Sequence, residues 1–398
     1  MRNPHRRRGT RTARMQFKHM KNASQEREAI KSARRIVVKI GSRVLVQRTG
    51  RPNTRRMRSL VADLVALRKS GREVVMVSSG AVGAGIEALG LSTRPTTIPD
   101  LQMAAAIGQS RLMATYDQLF GQHRCRIAQV LLTHDDLKNR ERHLNTRNTI
   151  MNLLRHDVIP IVNENDVVAT EEIKFGDNDM LAALVSILVP TDLLIMLSST
   201  DGLRSPAGGG RTRRVPHLKK ITRKVRELAN GKADSLTTGG MSAKLDAASY
   251  AAEVGIPVII ANGRRDGVLE KIIEGKDVGT LIWDHAAPQT EMDSRKRWIA
   301  FFHRAKGTIE IDEGAGRSLI NQGKSLLPIG VVEVDGQFAI GSLVNLKAPD
   351  GTLVARGLVY FSSDDIRRIK GRKTTEIEKI LGTRNYDEVV HRDNMVLI

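Results

Sequence analysis

A single cysteine, Cys125, stands in the 398 residues of this chain, which excludes an internal disulfide framework and any metal site built on a cysteine cluster. That usage fits a reducing compartment, and the expected location is the cytoplasm. Aromatic residues amount to 3%, so stacking platforms for single-stranded nucleic acid are scarce. No apolar run reaches the length of a membrane span; the longest, residues 181–197, is interrupted by Pro190 and Asp192. The first residues carry no apolar stretch of the kind a secretory signal needs.

Acid is also short, 43 Asp/Glu against 64 Lys/Arg for a net charge of +21, but the deficit is uneven. Residues 1–35 hold 12 Lys/Arg against Glu26 and Glu28, so +10 sits at the amino end and the remainder is only moderately basic. Residues 1–34 are therefore read as a basic, disordered tail, or as an over-long reading frame whose start lies at Met15 or Met20. A second basic stretch, 204–226, has nine Lys/Arg and no acid around Gly208–Gly210, and reads as a mobile loop.

What is present from residue 35 onward alternates strand and helix. Ile36–Ser42 is a first strand, a helix over 54–70 buries Met57, Leu60, Val61, Leu64 and Val65, and Glu73–Ser79 is a second strand. Helices around 101–120, strand 126–133, helix 138–156, strand 191–199, helix 240–254, strand 256–261 and helix 266–274 continue the pattern. Such alternation predicts an α/β fold, a doubly wound, mainly parallel sheet with helices on both faces. After Trp283 the pattern changes to short strands, one helix over 314–322 and hairpin signals at Asp335-Gly336 and Pro349-Asp350-Gly351. The expected division is an α/β domain over 35–284, a linker over 285–297, a small mostly β module over 298–382 and a C-terminal segment over 383–398.

The chain is organised around Val158–Val189, a β-branched strand, an acidic loop and an apolar helix. Between strand and helix lie Asn163, Glu164, Asn165 and Asp166, then Asp177, Asn178 and Asp179. Capping of the helix accounts for Asp177 or Asn178. It does not account for the earlier cluster, and in an open α/β sheet ligands sit at the carboxyl ends of strands, where this loop falls. Glycine turns follow strands at Gly41-Ser42 and at Ser79-Gly80 through Gly85, and a third, Thr237–Gly240, opens a helix carrying Lys244. Glycine brings peptide N–H groups close to an anion, and Lys39 and Lys244 are placed to reach one phosphate. No GxxxxGK[ST] is present, since Ser318 stands where Gly323-Lys324-Ser325 would need a glycine, and no complete GxGxxG occurs.

The ordered set KIGS, SSGAVGAG, LLTHDD (131–136), RERHLNTRNT (140–149), IVNENDVVA, IKFGDND and TTGGMSAKLDAA resembles the glutamate 5-kinases of the amino acid kinase superfamily. IDEGA (311–315) and SLLPIGV (325–331) are similar to the PUA domain appended in that family. The resemblance covers about residues 35 to 395. It implies ATP-dependent phosphorylation of the γ-carboxylate of L-glutamate, the first step toward proline. Lys39 and Lys244 would then hold phosphates and the transferring group, with Asp179 organising the lysines or the Mg²⁺. Ser79, Asp166 and Asn178 would bind glutamate, supported by Asn163 and Asp177. Gly41, Ser198, Ser199, Thr238, Gly239, Gly240, Met241, Ser242, Ala243 and Lys244 would line the nucleotide. Mg²⁺ would ride mainly on ATP oxygens rather than on a protein cluster. The resemblance also brings candidate partners: proline as feedback inhibitor, further copies of the chain in a homo-oligomer, glutamate-5-semialdehyde dehydrogenase and RNA at the PUA domain.

The chemistry suits the residues. A carboxylate nucleophile is ionised at neutral pH, so no general base is required, and the lack of a Ser-His-Asp or Cys-His set is no objection. One departure stands out. The family has Thr-Asp or Ser-Asp at the end of the strand before the nucleotide loop, followed by Gly-Leu-Tyr; here Ser198-Ser199 and Arg204 replace the pair and the tyrosine, while Asp201-Gly202-Leu203 is kept. Rival readings are a superfamily member acting on aspartate, N-acetylglutamate, carbamate or a nucleoside monophosphate, and an RNA-binding protein. The β module with the paired NEND and GDND motifs weighs against the first, and the dearth of aromatics against the second.

Overall fold

The computed structural model describes residues 25–46, 53–169, 178–209, 211–229, 240–284, 305–383 and 386–398. Asp177, Thr238 and Gly239, and residues 285–297, lie outside the described residues. The chain divides into two units, Met1–Thr290 and Glu291–Ile398.

The first unit carries strands β1 (Arg35–Ile40), β2 (Glu73–Val77), β3 (Ile127–Leu132), β4 (Ile159–Glu164) and β5 (Leu193–Ser198). After them come a hairpin of β6 (Arg204–Gly208) and β7 (Arg211–Arg214), then β8 (His217–Leu218), β9 (Val258–Asn262) and β10 (Thr280–Ile282). Eight of these form one sheet in the order β3-β4-β2-β1-β5-β9-β10-β8. All neighbours are parallel except β9 and β10. β1, β4 and β5 are buried on both faces throughout apart from Arg35, because helices cover the sheet on either side.

From β1 the chain builds outward through β2 and β4, then crosses back to β5 on the other flank of β1. The order of winding therefore reverses beside β1, which is where such sheets leave a crevice at their carboxyl ends. The crossover from β4 ends in the helix Asp179–Leu188, whose residues are buried all round except Met180.

Several local expectations are corrected. Asn163 and Glu164 belong to β4, paired with Leu131 and Leu132 of β3, and so are held by the sheet rather than by a loop. The helix expected over 138–156 is two helices, His134–Lys138 and Arg140–Arg155, because Asn139 ends one and its side chain caps the next. The basic stretch 204–226 is ordered where described. Arg204 donates from Nε to Thr212 Oγ1 (2.7 Å) and from Nη2 to Thr212 O (2.8 Å), bracing the hairpin. His217–Leu218 adds to the sheet, and Arg223–Ala229 is helical. At the amino end residues 25–30 are helical, which corrects the expectation of a disordered tail through residue 34. Arg27 is buried, with Nη1 donating to Lys276 O (3.0 Å) and Val278 O (2.9 Å) and Nη2 to Pro216 O (2.8 Å). A basic composition does not reveal that one arginine closes a sheet edge.

The second unit has β11 (Gly307–Ile311), β12 (Val331–Asp335), β13 (Leu343–Lys347), β14 (Leu353–Val359) and β15 (Val390–Leu397), ordered β12-β11-β13-β14-β15. Pro349-Asp350-Gly351 does turn an antiparallel hairpin between β13 and β14. Asp335-Gly336 does not: β12 is an edge strand paired only to β11, and β13 joins the far side of β11 in parallel. Its core gathers Ile309, Ile311, Leu319, Val344 and Leu346 with the closing-strand residues Val390 and Met395.

Candidate active site

β4, β2, β1 and β5 are neighbours and parallel, so their carboxyl ends present Asn163, Ser78-Ser79, Lys39 and Ser198 along one edge. At the centre Lys39 is fully buried on β1, a cost that only pairing offsets. Its Nζ lies 2.6 Å from Asp179 Oδ1, and Lys244 Nζ lies 2.8 Å from Asp179 Oδ2. Residues more than two hundred positions apart thus meet on one carboxylate, itself 2% exposed. Asp179 stands in the first turn of its helix, where the dipole favours an acid. Lys244 projects from the first turns of the Met241–Glu253 helix, whose N-cap is Gly240.

Burial alone would raise the Asp179 pKa; the ammonium groups of Lys39 and Lys244 overcome that and hold it down to about 2. Gly41 follows directly: a Cβ there would sit 3.2 Å from Leu197 O and 3.7 Å from Lys39 Nζ, so a side chain would crowd the approach to the lysine.

Beside this cluster, toward β2 and β4, lies a run of amides. Asn178 occupies the N-cap position of the Asp179–Leu188 helix, yet its side chain makes no capping bond. Its Nδ2 donates instead to Ser78 O (2.5 Å) and to Asn163 Oδ1 (2.5 Å). Capping therefore does not explain Asn178. Asn163 Nδ2 in turn donates to Gln109 Oε1 (2.8 Å), and Ser78 Oγ bonds the hydroxyl of Tyr116 at 3.0 Å. Ser79 Oγ is buried with no hydrogen-bond partner among the described residues. It precedes Gly80, the N-cap of the Ala81–Ala88 helix. Asp166 is half-buried in the turn after β4, where Asn165 N donates to Leu132 O.

On the other flank, Ser198 is buried at the end of β5, and its carbonyl accepts from Gly263 N at 2.8 Å. Ser199 is half-buried beyond it. Asp201 accepts from Asn262 Nδ2 (3.1 Å) and Arg265 Nη2 (2.8 Å). Gly202 has φ +114° and backs onto Thr280, where a Cβ would come within 2.4 Å of Oγ1, so the retained Asp-Gly-Leu is explained by its turn. Met241, Ser242 and Ala243 lead to Lys244 on the opening of its helix.

The structure brings Lys39, Asp179, Lys244, Gly41, Asn178 and Asn163 together through these contacts. Two polar residues of the site do not stand out in the sequence, Gln109 and Tyr116. A signal was there, since Gln109 and Tyr116 sit seven apart in an otherwise apolar helical face and share one side of it. Among the described residues, no group of three or more His, Cys, Asp or Glu converges where a metal ion would bind, and no helix is long and apolar enough to cross a membrane.

The family model described as the amino acid kinase family matches residues 34–262, and that of the PUA domain matches 307–381. The chain is similar to the glutamate 5-kinase of Moorella thermoacetica, 46% identical over 376 residues, 94% of this chain and 98% of that one. It is as similar to the glutamate 5-kinase of Geobacter sulfurreducens, 46% identical over 371 residues, 93% of this chain and 99% of that one. A solved UMP kinase from Bacillus anthracis aligns with a TM-score of 0.45 at 17% identity, over 64% of this chain and 97% of that one.

Proposed function

Because this chain belongs to the glutamate 5-kinases, within the amino acid kinase family, we propose that it transfers the γ-phosphoryl group of ATP to the side-chain carboxylate of L-glutamate. The products are L-glutamyl 5-phosphate and ADP, and the step opens proline biosynthesis in the cytoplasm. The observation that carries the reading is the pair of ammonium groups held on one buried carboxylate at the end of the central strand.

A glutamate carboxylate oxygen attacks the γ-phosphorus while the bond to the ADP oxygen breaks, and no proton moves. The obstacle is the approach of two anions and the charge on the phosphoryl oxygens in transit. Lys39 and Lys244 supply positive charge there, in a site shielded from water where it acts strongly. Asp179 is no base: both its oxygens are engaged by lysines, and it fixes the two ammonium groups at one spacing. With that carboxylate committed to the lysines, Mg²⁺ would be held chiefly by ATP itself and would supply neutralisation of phosphate charge.

The strand order supports a polarity for the site: glutamate over β4 and β2, bound by Ser79, Asn163, Asp166 and Asn178, the phosphoryl group over β1, and the nucleotide toward β5, along Gly41, Ser198, Ser199 and residues 240–244. The acyl phosphate is labile, which favours its prompt consumption by a reductase such as glutamate-5-semialdehyde dehydrogenase. The test is hydroxamate trapping of product from MgATP with glutamate, aspartate, N-acetylglutamate or UMP as acceptor. Glutamate is expected to give acyl hydroxamate well above the others. Turnover of another acceptor with none of glutamate would overturn the reading.

A further inference from the structure

The amide run beside the lysine cluster has a direction, and one end fixes it. A peptide carbonyl can only accept a hydrogen bond, so the group meeting Ser78 O must be the nitrogen of Asn178. That same nitrogen meets Asn163, which must therefore present its oxygen. Asn163 is then left with its nitrogen toward Gln109, and Gln109 must answer with Oε1. The Ser78 peptide thereby sets the orientation of three amides in sequence. Asn178 spends both its hydrogens within the run and keeps Oδ1, an acceptor, uncommitted to its own helix.

Both ends of this run return to one element. Gln109 and Tyr116 stand seven residues apart on the same side of the Ile98–Gly121 helix, and Tyr116 holds Ser78 through its side-chain oxygen. The circuit runs from the helix through Gln109, Asn163, Asn178 and Ser78 to Tyr116 and back to the helix. Tyr116 is fully buried, so that anchor is rigid. Gln109 is half-buried, at the pocket end.

We propose that Gln109 is a positioning residue for the amino-acid substrate: acting through Asn163, it holds the Asn178 amide so that its carbonyl oxygen faces the pocket as an acceptor for the substrate ammonium. The inference rests on the function proposed above. Without Gln109, the Asn163 amide loses the acceptor on its nitrogen and is held on one side only. The Asn178 amide keeps its bond to Ser78 O but meets a loosened Asn163, so its carbonyl oxygen is held less firmly where the ammonium needs an acceptor.

The test is a double-mutant cycle on the full chain, Gln109→Met, Asn163→Ala and both together, with KM measured for glutamate and for MgATP. Gln109→Met is expected to raise the glutamate KM about tenfold, the worth of one positioned hydrogen bond, with the MgATP KM within about twofold. The double variant is expected to match Asn163→Ala alone, because a residue acting through another adds nothing once the other is gone. An unchanged glutamate KM in Gln109→Met, or additive effects in the double variant, overturns the proposal. Thermal melting checks the fold, and Gln109→Ala replaces Met in the cycle if Met destabilises the helix packing. A wild-type chain that phosphorylates no glutamate fails the functional reading itself; an active wild type with a null cycle fails only this inference.

Discussion

The Lys39–Asp179–Lys244 cluster is where a single atom change has the largest consequence. Removing one member of a buried ion pair leaves an uncompensated charge, typically about 3–5 kcal/mol. Asp179→Asn leaves two buried ammonium groups facing each other and is expected to destabilise the first unit by about that amount at pH 7, read by urea denaturation. The pH dependence follows from the direction of the shift. Asp179 is held near 2 in the folded chain, below the roughly 3.9 of an unfolded aspartate, so its contribution is complete above that unfolded value and is lost as pH falls through about 2. The stability gap between wild type and Asp179→Asn should therefore narrow by roughly 2–3 kcal/mol between pH 5 and pH 2. A gap that stays constant on acidification would mean the carboxylate is not held by the lysines. Lys244→Ala removes a cation from the same carboxylate but leaves Lys39 on it, so the fold survives at reduced stability. Its kcat is expected to fall by about 10²–10³, the loss typical of one preorganised charge-stabilising donor. Steady-state kinetics with glutamate and MgATP both saturating would show this, and a near-normal kcat would remove Lys244 from the transfer step.

At the scale of elements, the site depends on how closely two helices approach. A Cβ built at Gly108, on the Ile98–Gly121 helix, would stand 1.8 Å from Ala81 O, and one at Gly85 would stand 1.7 Å from Ala104 O. The two contacts are reciprocal and lock the Ala81–Ala88 helix, with Ser79 and Gly80 at its start, against the helix that carries Gln109 and Tyr116. Gly108→Ala forces these backbones apart, at about 1–3 kcal/mol by the usual cost of overpacking. The glutamate KM should rise more than the MgATP KM, because the strained helix carries the β2 side of the pocket; equal changes in both would mean the strain is absorbed elsewhere. This contact also shows what the sequence could and could not tell. Strand–helix alternation makes the doubly wound sheet legible, and the sequence motifs single out the two lysines and Asp179 that meet in the structure. The glycines of GAVGAG read as anion-cradling turns, yet Gly85 is there for helix packing, since turn chemistry and close approach demand the same residue. Gln109 shows in the sequence only as a polar residue on a helix face, because its meaning lies in Asn163, 54 positions away, and in the Asn178 that Asn163 meets. Arg27 was hidden by the basic residues around it: composition describes a segment, whereas burial selects one side chain.

At the scale of the whole molecule, the second unit has its own core and its own sheet, so it is expected to fold without the first. Its match to the PUA domain ends at residue 381, but the sheet does not. β15, Val390–Leu397, pairs antiparallel with β14, and Val389 and Val390 both donate to Leu326 O. Val389, Val390 and Met395 are buried in this unit's core, and Val396 is buried on β15. At about 1.5–3 kcal/mol for each buried aliphatic side chain, these four contribute on the order of 6–12 kcal/mol. That is comparable to the roughly 5–15 kcal/mol by which a whole domain is stable. Cutting at residue 381 would also leave β14 as an unpaired edge beside an opened core, a surface prone to self-association. The fragment 291–398 is therefore expected to give one cooperative thermal transition and to remain monomeric, and the fragment 291–381 to melt without cooperativity or to aggregate. Circular dichroism melts with analytical ultracentrifugation of both fragments decide it. A cooperative, monomeric 291–381 melting within a few degrees of the longer fragment would mean that β15 decorates the sheet rather than completing it.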